Sequence, residues 1–206
     1  MVKANIAVFV SGGGTNLQAL LDAADRGELK DGALALVLSS REDAYALERA
    51  KKHRIPTKVV SKKQAGSQQA FEAEILRALE AYSVDMIVLA GFMSILSADF
   101  VRRYEKRIIN VHPSLIPAFC GEGYYGLRVH EAALAKGVKV TGATVHFVNE
   151  VPDGGEIIFQ KAVRVLKNDT PQTLQRRVME QAEWKLLPRA AQEVAKKIAK
   201  GKEKKL

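Results

Sequence analysis

Short apolar runs alternate with helical patterns through the first half of the chain. Short apolar runs are typical of buried strands, whereas apolar residues three or four positions apart mark one face of a helix. The predicted strands of this half occupy residues 5–10, 33–38, 57–60, 85–90 and 107–111. The predicted helices between them occupy residues 15–24, 44–53 and 68–82. This alternation predicts a Rossmann-like α/β fold, in which a mostly parallel, twisted sheet has helices on both faces.

The second half of the chain has a different pattern. Residues 113–127 form a long irregular stretch, which a short predicted helix over 129–135 follows. Two predicted strands, over 138–148 and 156–165, are joined by a connection too short for a helix, so we expect them to be antiparallel. Residues 170–200 are predicted to be mostly helical, with an interruption or kink at Pro188. No linker is visible, so residues 1–206 are predicted to form one domain.

Composition narrows the class of protein. The chain has 206 residues, of which 47% are apolar and 27% charged, ordinary values for a soluble globular protein. Its single cysteine, Cys120, permits no internal disulfide, and the N-terminus shows no signal-peptide pattern. No apolar run approaches the roughly 18 residues of a membrane span. We therefore expect a cytoplasmic protein that does not bind membranes.

The positive charge is concentrated at the C-terminus. The net charge is +9, and residues 196–206 hold six lysines and one glutamate, which leaves +4 for the other 195 residues. We interpret residues from about 189 onward as a basic helical tail whose solvated end frays. Attraction to nucleic acid is the alternative, but no aromatic residues lie between the tail lysines. Nucleic acid is therefore not an expected partner.

A glycine-rich segment, with the sequence SGGGTN over residues 11–16, joins the first predicted strand to the first predicted helix. Glycines let the backbone approach a ligand closely, and the free amides of a helix N-terminus attract phosphate. Thr15 and Gln18 also fit a capping box. Leu17 stands where a dinucleotide fingerprint needs its third glycine. The segment therefore predicts either a plain tight turn or a site for a monophosphate or similar anion.

Two polar residues, Asn110 and His112, lie at the end of a predicted strand. They are two positions apart, so their side chains point the same way, at the edge where open α/β sheets bind ligands. An asparagine amide can donate to a developing oxyanion, and a histidine can donate a hydrogen bond or move a proton near neutral pH. The alternative is a capping asparagine and a structural histidine that bonds to the backbone.

Asp153 lies in an Asp-Gly-Gly sequence between the last two predicted strands. This sequence is typical of a hairpin turn, but it could also bring a carboxylate near His112, where it would raise the pKa of the histidine and fix its orientation. We interpret His146, inside an alternating strand, as structural, and His53 and His130 as ordinary residues of polar helices. The scattered histidines and the lone cysteine have no metal-ligand spacing, so no metal is predicted.

Four motifs occur in order along the chain: SGGGTNLQ from residue 11, LAGFMSIL from 89, INVHPSLIP from 109 and HFVNEVPDGG from 146. Together they resemble the phosphoribosylglycinamide formyltransferase family of folate-dependent enzymes, over residues 4–188. The resemblance implies transfer of a formyl group from 10-formyltetrahydrofolate to the amine of N1-(5-phospho-D-ribosyl)glycinamide, in de novo purine (IMP) biosynthesis. It implies two small-molecule substrates and no metal, and a homodimer is compatible with the sequence.

The resemblance also implies roles for individual residues. Asn110 and a protonated His112 would donate to the oxyanion of the intermediate, and Asp153 would stabilise the charged histidine. The ribonucleotide site that it implies consists of Gly14, Thr15 and Asn16 for the phosphate and Glu183 for the glycinamide end. The folate site that it implies consists of Gln68, Met93, Ser94, Ile95, Leu96, Asn110, Asn149, Glu150, Val151, Pro152 and Asp153.

The chain departs from better-known relatives at several positions. Gln68 and Ser94 stand where arginines often occur, and Trp184 replaces a histidine. The loop over 119–127 is longer. Other members of the superfamily, such as a formyltetrahydrofolate hydrolase or a transferase for methionyl-tRNA or an amino sugar, are alternatives. The tRNA enzyme and the hydrolase would each be expected to carry a further domain. A nucleotide-binding module without catalytic activity would leave Asn110, His112 and Asp153 without a shared purpose.

Overall fold

The computed structural model describes residues 2–204, which contain one seven-stranded sheet. The strands are β1 (Ala4–Val10), β2 (Gly32–Ser39), β3 (Thr57–Val59), β4 (Met86–Leu89), β5 (Ile108–His112), β6 (Val140–Phe147) and β7 (Ile157–Arg164). They lie in the order β3-β2-β1-β4-β5-β6-β7. The first five strands in this order are parallel to one another, whereas β6 pairs antiparallel with both β5 and β7. The predicted fold class, including its antiparallel C-terminal portion, is confirmed.

Helices connect the strands and follow the sheet. They are α1 (Thr15–Asp25), α2 (Ala46–Lys52), α3 (Lys62–Ala65), α4 (Gln68–Ala81), α5 (Ala98–Arg103), α6 (Leu127–Lys136), α7 (Pro171–Val178) and α8 (Trp184–Glu203). The short helices α3 and α5 have no counterpart in the predicted pattern. Within residues 2–204, none of these helices combines the length and the apolar character needed to cross a membrane.

Strand β1 shows why the sheet is covered on both faces. Its alternate residues Ile6, Val8 and Val10 are buried in the apolar cluster that includes α1 and α8. Ala7 and Phe9 are buried in the opposite cluster, which includes α4 and α5. A strand that is buried on both faces is apolar at every position, and this accounts for the continuous apolar run in the sequence.

The strand order places three chain segments at one edge of the sheet. The strand order reverses between the parallel neighbours β1 and β4, because the chain continues from β1 to β2 on one side and from β4 to β5 on the other. The loop after β1, the loop after β4 and the last residues of β5 therefore meet at the carboxyl edge of the parallel strands. This switch point is where open α/β sheets bind their ligands.

The C-terminal helical region differs from the prediction. Helix α7 ends at Val178, a π-helical segment covers Met179–Glu183, and Pro188 lies inside α8, so the predicted interruption at Pro188 is wrong in position. A proline crowds the carbonyl four residues before it, and the irregular turn accordingly precedes Pro188. Helix α8 continues to Glu203, so the basic tail is part of this helix. The assignment of the whole chain to one domain stays a prediction.

Candidate active site

Four polar side chains meet at the end of β5. The Nδ1 atom of His112 lies 3.3 Å from Oδ2 of Asp153, and Nε2 of His146 lies 3.5 Å from Oδ1 of the same carboxylate. Asn110 is the direct cross-strand partner of His146, and its Nδ2 lies 3.3 Å from Nε2 of His146. The structure thus brings Asn110, His112 and Asp153 together, and it adds His146, which the sequence analysis interpreted as structural.

The loop between β6 and β7 holds Asp153 in an unusual backbone conformation. Asp153 has a φ of 55°, in the left-handed region that few side chains adopt. The Asn149 side chain closes the loop, because it accepts from the Val151 amide at 3.0 Å and donates to the Gly154 carbonyl at 3.1 Å. A Cβ atom at Gly155 would lie only 1.7 Å from the Phe147 carbonyl oxygen. Glycine at position 155 therefore allows the tight turn in which the Asp153 carboxylate lies next to His112 and His146.

Burial and hydrogen bonding act in opposite directions on Asp153 and His112. Burial disfavours the charge of Asp153, but the contact with His146, a hydrogen bond from the Gly121 amide and the neighbouring His112 ring together lower the pKa of this carboxyl. Burial lowers the pKa of His112, although Asp153 and the Phe119 carbonyl both favour the charged ring. Asp153 favours the charged ring, as predicted, but burial outweighs the carboxylate, so the net pKa of His112 is lowered, against the expectation of a protonated His112.

A cavity of about 170 Å³ opens beside this cluster. It is lined by Leu89, Phe92, Ser94, Ile95, Leu96, Val101, Asn110, His146, Val148, Asn149, Glu150, Val151, Pro152 and Asp153. Of the predicted folate residues, Gln68 and Met93 do not line it. Gln68 donates to the Ile95 carbonyl at 3.0 Å and thereby supports the wall from behind, and Met93 is 58% exposed. The cavity wall is mainly apolar, and Asn110, His146 and Asp153 are among its polar lining residues.

The glycine-rich segment turns into α1 through Gly14, which has a φ of 72° and precedes the first helical residue. The predicted capping box of Thr15 and Gln18 is wrong. Thr15 is already inside the helix, so its hydroxyl contacts Met179 instead, with 3.9 Å between Oγ1 and Sδ. In the described part of the chain, no backbone hydrogen bond is found for the amides of residues 12–14. These amides and the first turn of α1 form a group of free donors suited to an anion.

Arg49 of α2 fixes the other side of the glycine-rich segment. Its Nε donates to the Gly13 carbonyl at 2.8 Å, its Nη1 donates to Gln18 Oε1 at 2.9 Å, and its guanidinium lies 5.1 Å from the centre of the Tyr45 ring. The Ala46 amide donates to the Gly12 carbonyl at 3.1 Å. Helix α2 thus holds the carbonyls of Gly12 and Gly13, and it places the Arg49 guanidinium beside the free amides. Arg49 and Thr15 also line a cavity of about 270 Å³.

Glu183 is buried in the π-helical segment, next to the start of α1. Its Oε2 accepts a hydrogen bond from Nδ2 of Asn16 at 2.8 Å. Burial raises the pKa of Glu183 to about 7, and the bond from Asn16 offsets only part of this effect. The two predicted ends of the ribonucleotide site, Asn16 and Glu183, are therefore in direct contact.

Sequence reasoning missed three residues around the site. His146 could have been found only from the register of β6 on β5, and Arg49 carries no local motif. His130, expected to be an ordinary helical residue, is fully buried in α6, and within residues 2–204 neither of its ring nitrogens has a hydrogen-bond partner. Burial, with a smaller contribution from the charge of His112, lowers the pKa of His130 to about 4.

The fold and this site together define a Rossmann-like α/β enzyme. The profile of the formyl transferase family matches residues 4–191. The phosphoribosylglycinamide formyltransferase of Escherichia coli (strain K12) is 40% identical over 177 residues, which are 86% of this chain and 81% of that protein. The crystal structure of glycinamide ribonucleotide transformylase 1 from Symbiobacterium toebii superposes with a TM-score of 0.87 at 41% identity, covering 94% of this chain and 88% of that one.

A larger relative also matches. The trifunctional purine biosynthetic protein adenosine-3 of Gallus gallus is 45% identical over 193 residues, which are 94% of this chain but only 18% of that protein. This chain therefore spans about a fifth of the length of the trifunctional relatives. The chain belongs to the formyl transferase family, and the family resemblance that the four sequence motifs indicated is confirmed.

Proposed function

We propose that this protein transfers the formyl group of 10-formyltetrahydrofolate to the amine of N1-(5-phospho-D-ribosyl)glycinamide, a step of de novo purine biosynthesis. The observation that carries the proposal is the convergence of Asn110, His112 and Asp153 next to a cavity, at the same edge of the sheet as the N-terminus of α1. The names of the Escherichia coli and Symbiobacterium toebii relatives support the same reaction.

The ribonucleotide would bind at the start of α1. Its phosphate would accept hydrogen bonds from the amides of Gly14, Thr15 and Asn16, and Arg49 would add a positive charge on the opposite side. Glu183, held by Asn16, would bind the glycinamide end. In this position the amine would point from the start of α1 towards the ends of β4 and β5.

The folate would occupy the cavity lined by residues of the loop after β4 and of the β6–β7 loop. Backbone groups of Ser94, Ile95 and Leu96 on one wall and of residues 149–153 on the other would bind the polar edge of the pterin. The contact between Gln68 and the Ile95 carbonyl would hold the first wall in place. Bound in this way, the formyl group would lie next to Asn110, which lines the same cavity.

The chemistry requires a neutral amine that attacks the formyl carbon. As the new C–N bond forms, an electron pair moves onto the formyl oxygen, and Asn110 would donate to this developing oxyanion. The neutral His112 ring carries one N–H, and a distance of 2.8 Å from Nε2 to the Phe119 carbonyl places it there. The formyl oxygen would replace that carbonyl as the acceptor. The bond from carbon to the folate nitrogen then breaks, and this nitrogen takes a proton from water, while Asp153 accepts the amine proton through water, so that the proton lost by the amine balances the one gained by the folate.

Steady-state kinetics of three variants test the proposal. We expect Asn110→Ala, His112→Ala and Asp153→Asn to lower kcat, by about 100-fold to 1000-fold where an oxyanion donor is lost. Asp99→Asn removes an exposed carboxylate on α5 and serves as the control, with activity near that of the wild type. Near-normal turnover of folded active-site variants would contradict the proposal, and formate release without ribonucleotide would favour a hydrolase. A homodimer and a cytoplasmic location stay predictions.

A further inference from the structure

His146 is buried in the sheet, and one of its ring nitrogens has an unambiguous role. Its side chain is 2% exposed, and Nδ1 lies 2.8 Å from the backbone carbonyl oxygen of Phe147. A carbonyl oxygen only accepts hydrogen bonds, so Nδ1 must carry a hydrogen atom. A neutral imidazole has one N–H, and Nε2 of the neutral ring is therefore an acceptor.

The acceptor at Nε2 determines how the Asn110 amide is turned. Nε2 lies 3.3 Å from Nδ2 of Asn110, and only the nitrogen end of an amide can donate to it. An amide nitrogen has two N–H groups. One of them bonds to His146, and within residues 2–204 the nitrogen has no other hydrogen-bond partner, so the second is available to the cavity that Asn110 lines.

A doubly protonated His146 ring would favour the opposite orientation of the Asn110 amide. Its Nε2–H would donate to Oδ1 of Asp153, now 3.5 Å away, and the Asn110 amide would have to turn its oxygen towards the ring. The donor needed at the formyl oxygen would then be lost. The shorter of the two distances from Nε2, to Asn110, is the one that the neutral ring satisfies.

We propose that His146 is a positioning residue, whose Nε2 holds the Asn110 amide with its nitrogen towards the reacting carbonyl oxygen. This inference rests on the proposed function. Without the contact, the amide of Asn110 can rotate by half a turn and present its oxygen, which repels a developing negative charge. His146 thus acts on the reacting oxygen through Asn110, although its ring also lines the cavity.

Three substitutions at His146 separate this role from simple packing. We expect His146→Leu to lower kcat by about 10-fold to 100-fold, part of the effect of losing a full oxyanion donor, with both KM values changed less than about twofold. His146→Gln keeps an acceptor that reaches the former Nε2 position and should recover most of the activity. His146→Asn is shorter and should not. Thr141→Val, a substitution of another buried residue of β6, is the control and should leave kcat unchanged.

A double-mutant comparison supplies a result that packing alone would not give. In an Asn110→Ala background, His146→Leu should lower kcat by less than about threefold further, because the amide that it positions is already absent. The inference would be overturned if His146→Leu lowered kcat by the same factor in the Asn110→Ala background as in the wild type. It would also be overturned if the kcat of His146→Leu equalled that of the wild type. A near-normal kcat of Asn110→Ala alone would instead contradict the proposed function.

The ring hydrogen itself can be observed. A long-range proton–nitrogen NMR spectrum of the wild-type protein, recorded at neutral pH, should show the hydrogen on Nδ1 and a bare Nε2. A hydrogen found on Nε2 would overturn the proposed orientation of Asn110. Circular dichroism and unfolding temperature of each variant confirm that the kinetic comparisons are made on folded protein.

Discussion

At the scale of single residues, Glu183 is a buried carboxyl whose pKa, about 7, lies well above its ordinary value of 4.5. Between these two values the folded chain binds a proton that the unfolded chain releases, so stability falls as pH rises through this window. We expect Glu183→Gln to remove this decline, which amounts to about 3 kcal/mol at most. Urea unfolding at several pH values measures it, with Glu180→Gln as the control. If the unfolding free energy of Glu183→Gln depends on pH as steeply as that of the wild type, the raised pKa of Glu183 is contradicted.

For His130 we expect the opposite dependence of stability on pH. Its pKa, about 4 in the folded protein, lies below the ordinary 6.5, so the unfolded chain binds the proton first as pH falls. Stability is therefore lost on acidification from about pH 6.5 to about pH 4, by about 2 kcal/mol at pH 5. His130→Leu should remove this loss, and it also removes two buried ring nitrogens without partners. His53→Leu is the control, and unfolding curves at pH 5 and pH 7 that shift equally in both variants would refute the prediction.

The candidate site was predictable only where its residues share one strand or one motif. The same-side orientation of Asn110 and His112 follows from the period of a strand. The approach of Asp153 came from a resemblance, because a turn signal does not reveal which surface the turn reaches. The role of His146 depends on its pairing opposite Asn110, and residue spacing does not give the register of two strands. The neutral state of His112 also needs three-dimensional burial, which no short sequence pattern contains.

At the scale of elements, the join between β1 and α1 needs glycine for two separate reasons. Gly14 has a positive φ, and a Cβ there would lie 2.6 Å from Cβ of Ala46 in α2. Gly27 has nearly the same φ, but a Cβ there would meet no atom within 4 Å. We expect Gly14→Ala to destabilise the protein by about 2–4 kcal/mol and Gly27→Ala by about 1–2 kcal/mol. Urea unfolding measures both, and equal losses would show that α2 does not restrict the loop.

A strand or helix could be predicted from the sequence only where its apolar residues repeat with a clear period. The strands and the long helices have clear patterns, and their observed bounds lie within a few residues of the predicted ones. Helices α3 and α5 have four and six residues, too few for a helical period to become visible. The π-helical segment was missed because its sequence continues the apolar spacing of the neighbouring helices. Glu183, the last residue of this segment, bonds to Asn16.

At the scale of the whole molecule, the basic C-terminal helix α8 packs on the rest of the fold and does not extend from it as a free tail. The lysines suggested a solvated helix end, but on the opposite face of the same helix Val194 and Ala195 are buried in the apolar cluster beside the sheet, and Ala199 is also buried. Most of these lysines are exposed on the helix, as predicted, but a count of charges does not show that the opposite face is apolar and buried. Lysines of α8 therefore differ in role according to the direction in which they point.

Lys202 is the lysine with a structural role. Its Nζ lies 2.5 Å from Oδ2 of Asp85, and the same oxygen accepts the Asn5 amide at 2.7 Å, so the end of α8 is joined to the starts of β1 and β4. We expect Lys202→Ala to reduce stability by about 1 kcal/mol, because the carboxylate is partly buried, whereas the exposed Lys200→Ala should change it by less than about 0.5 kcal/mol. Thermal unfolding compares the two variants. The difference between them should shrink in high salt and vanish in an Asp85→Asn background, since both conditions weaken the same ion pair. If Lys202→Ala costs as much in that background as in the wild type, the ion pair does not hold the helix end in place.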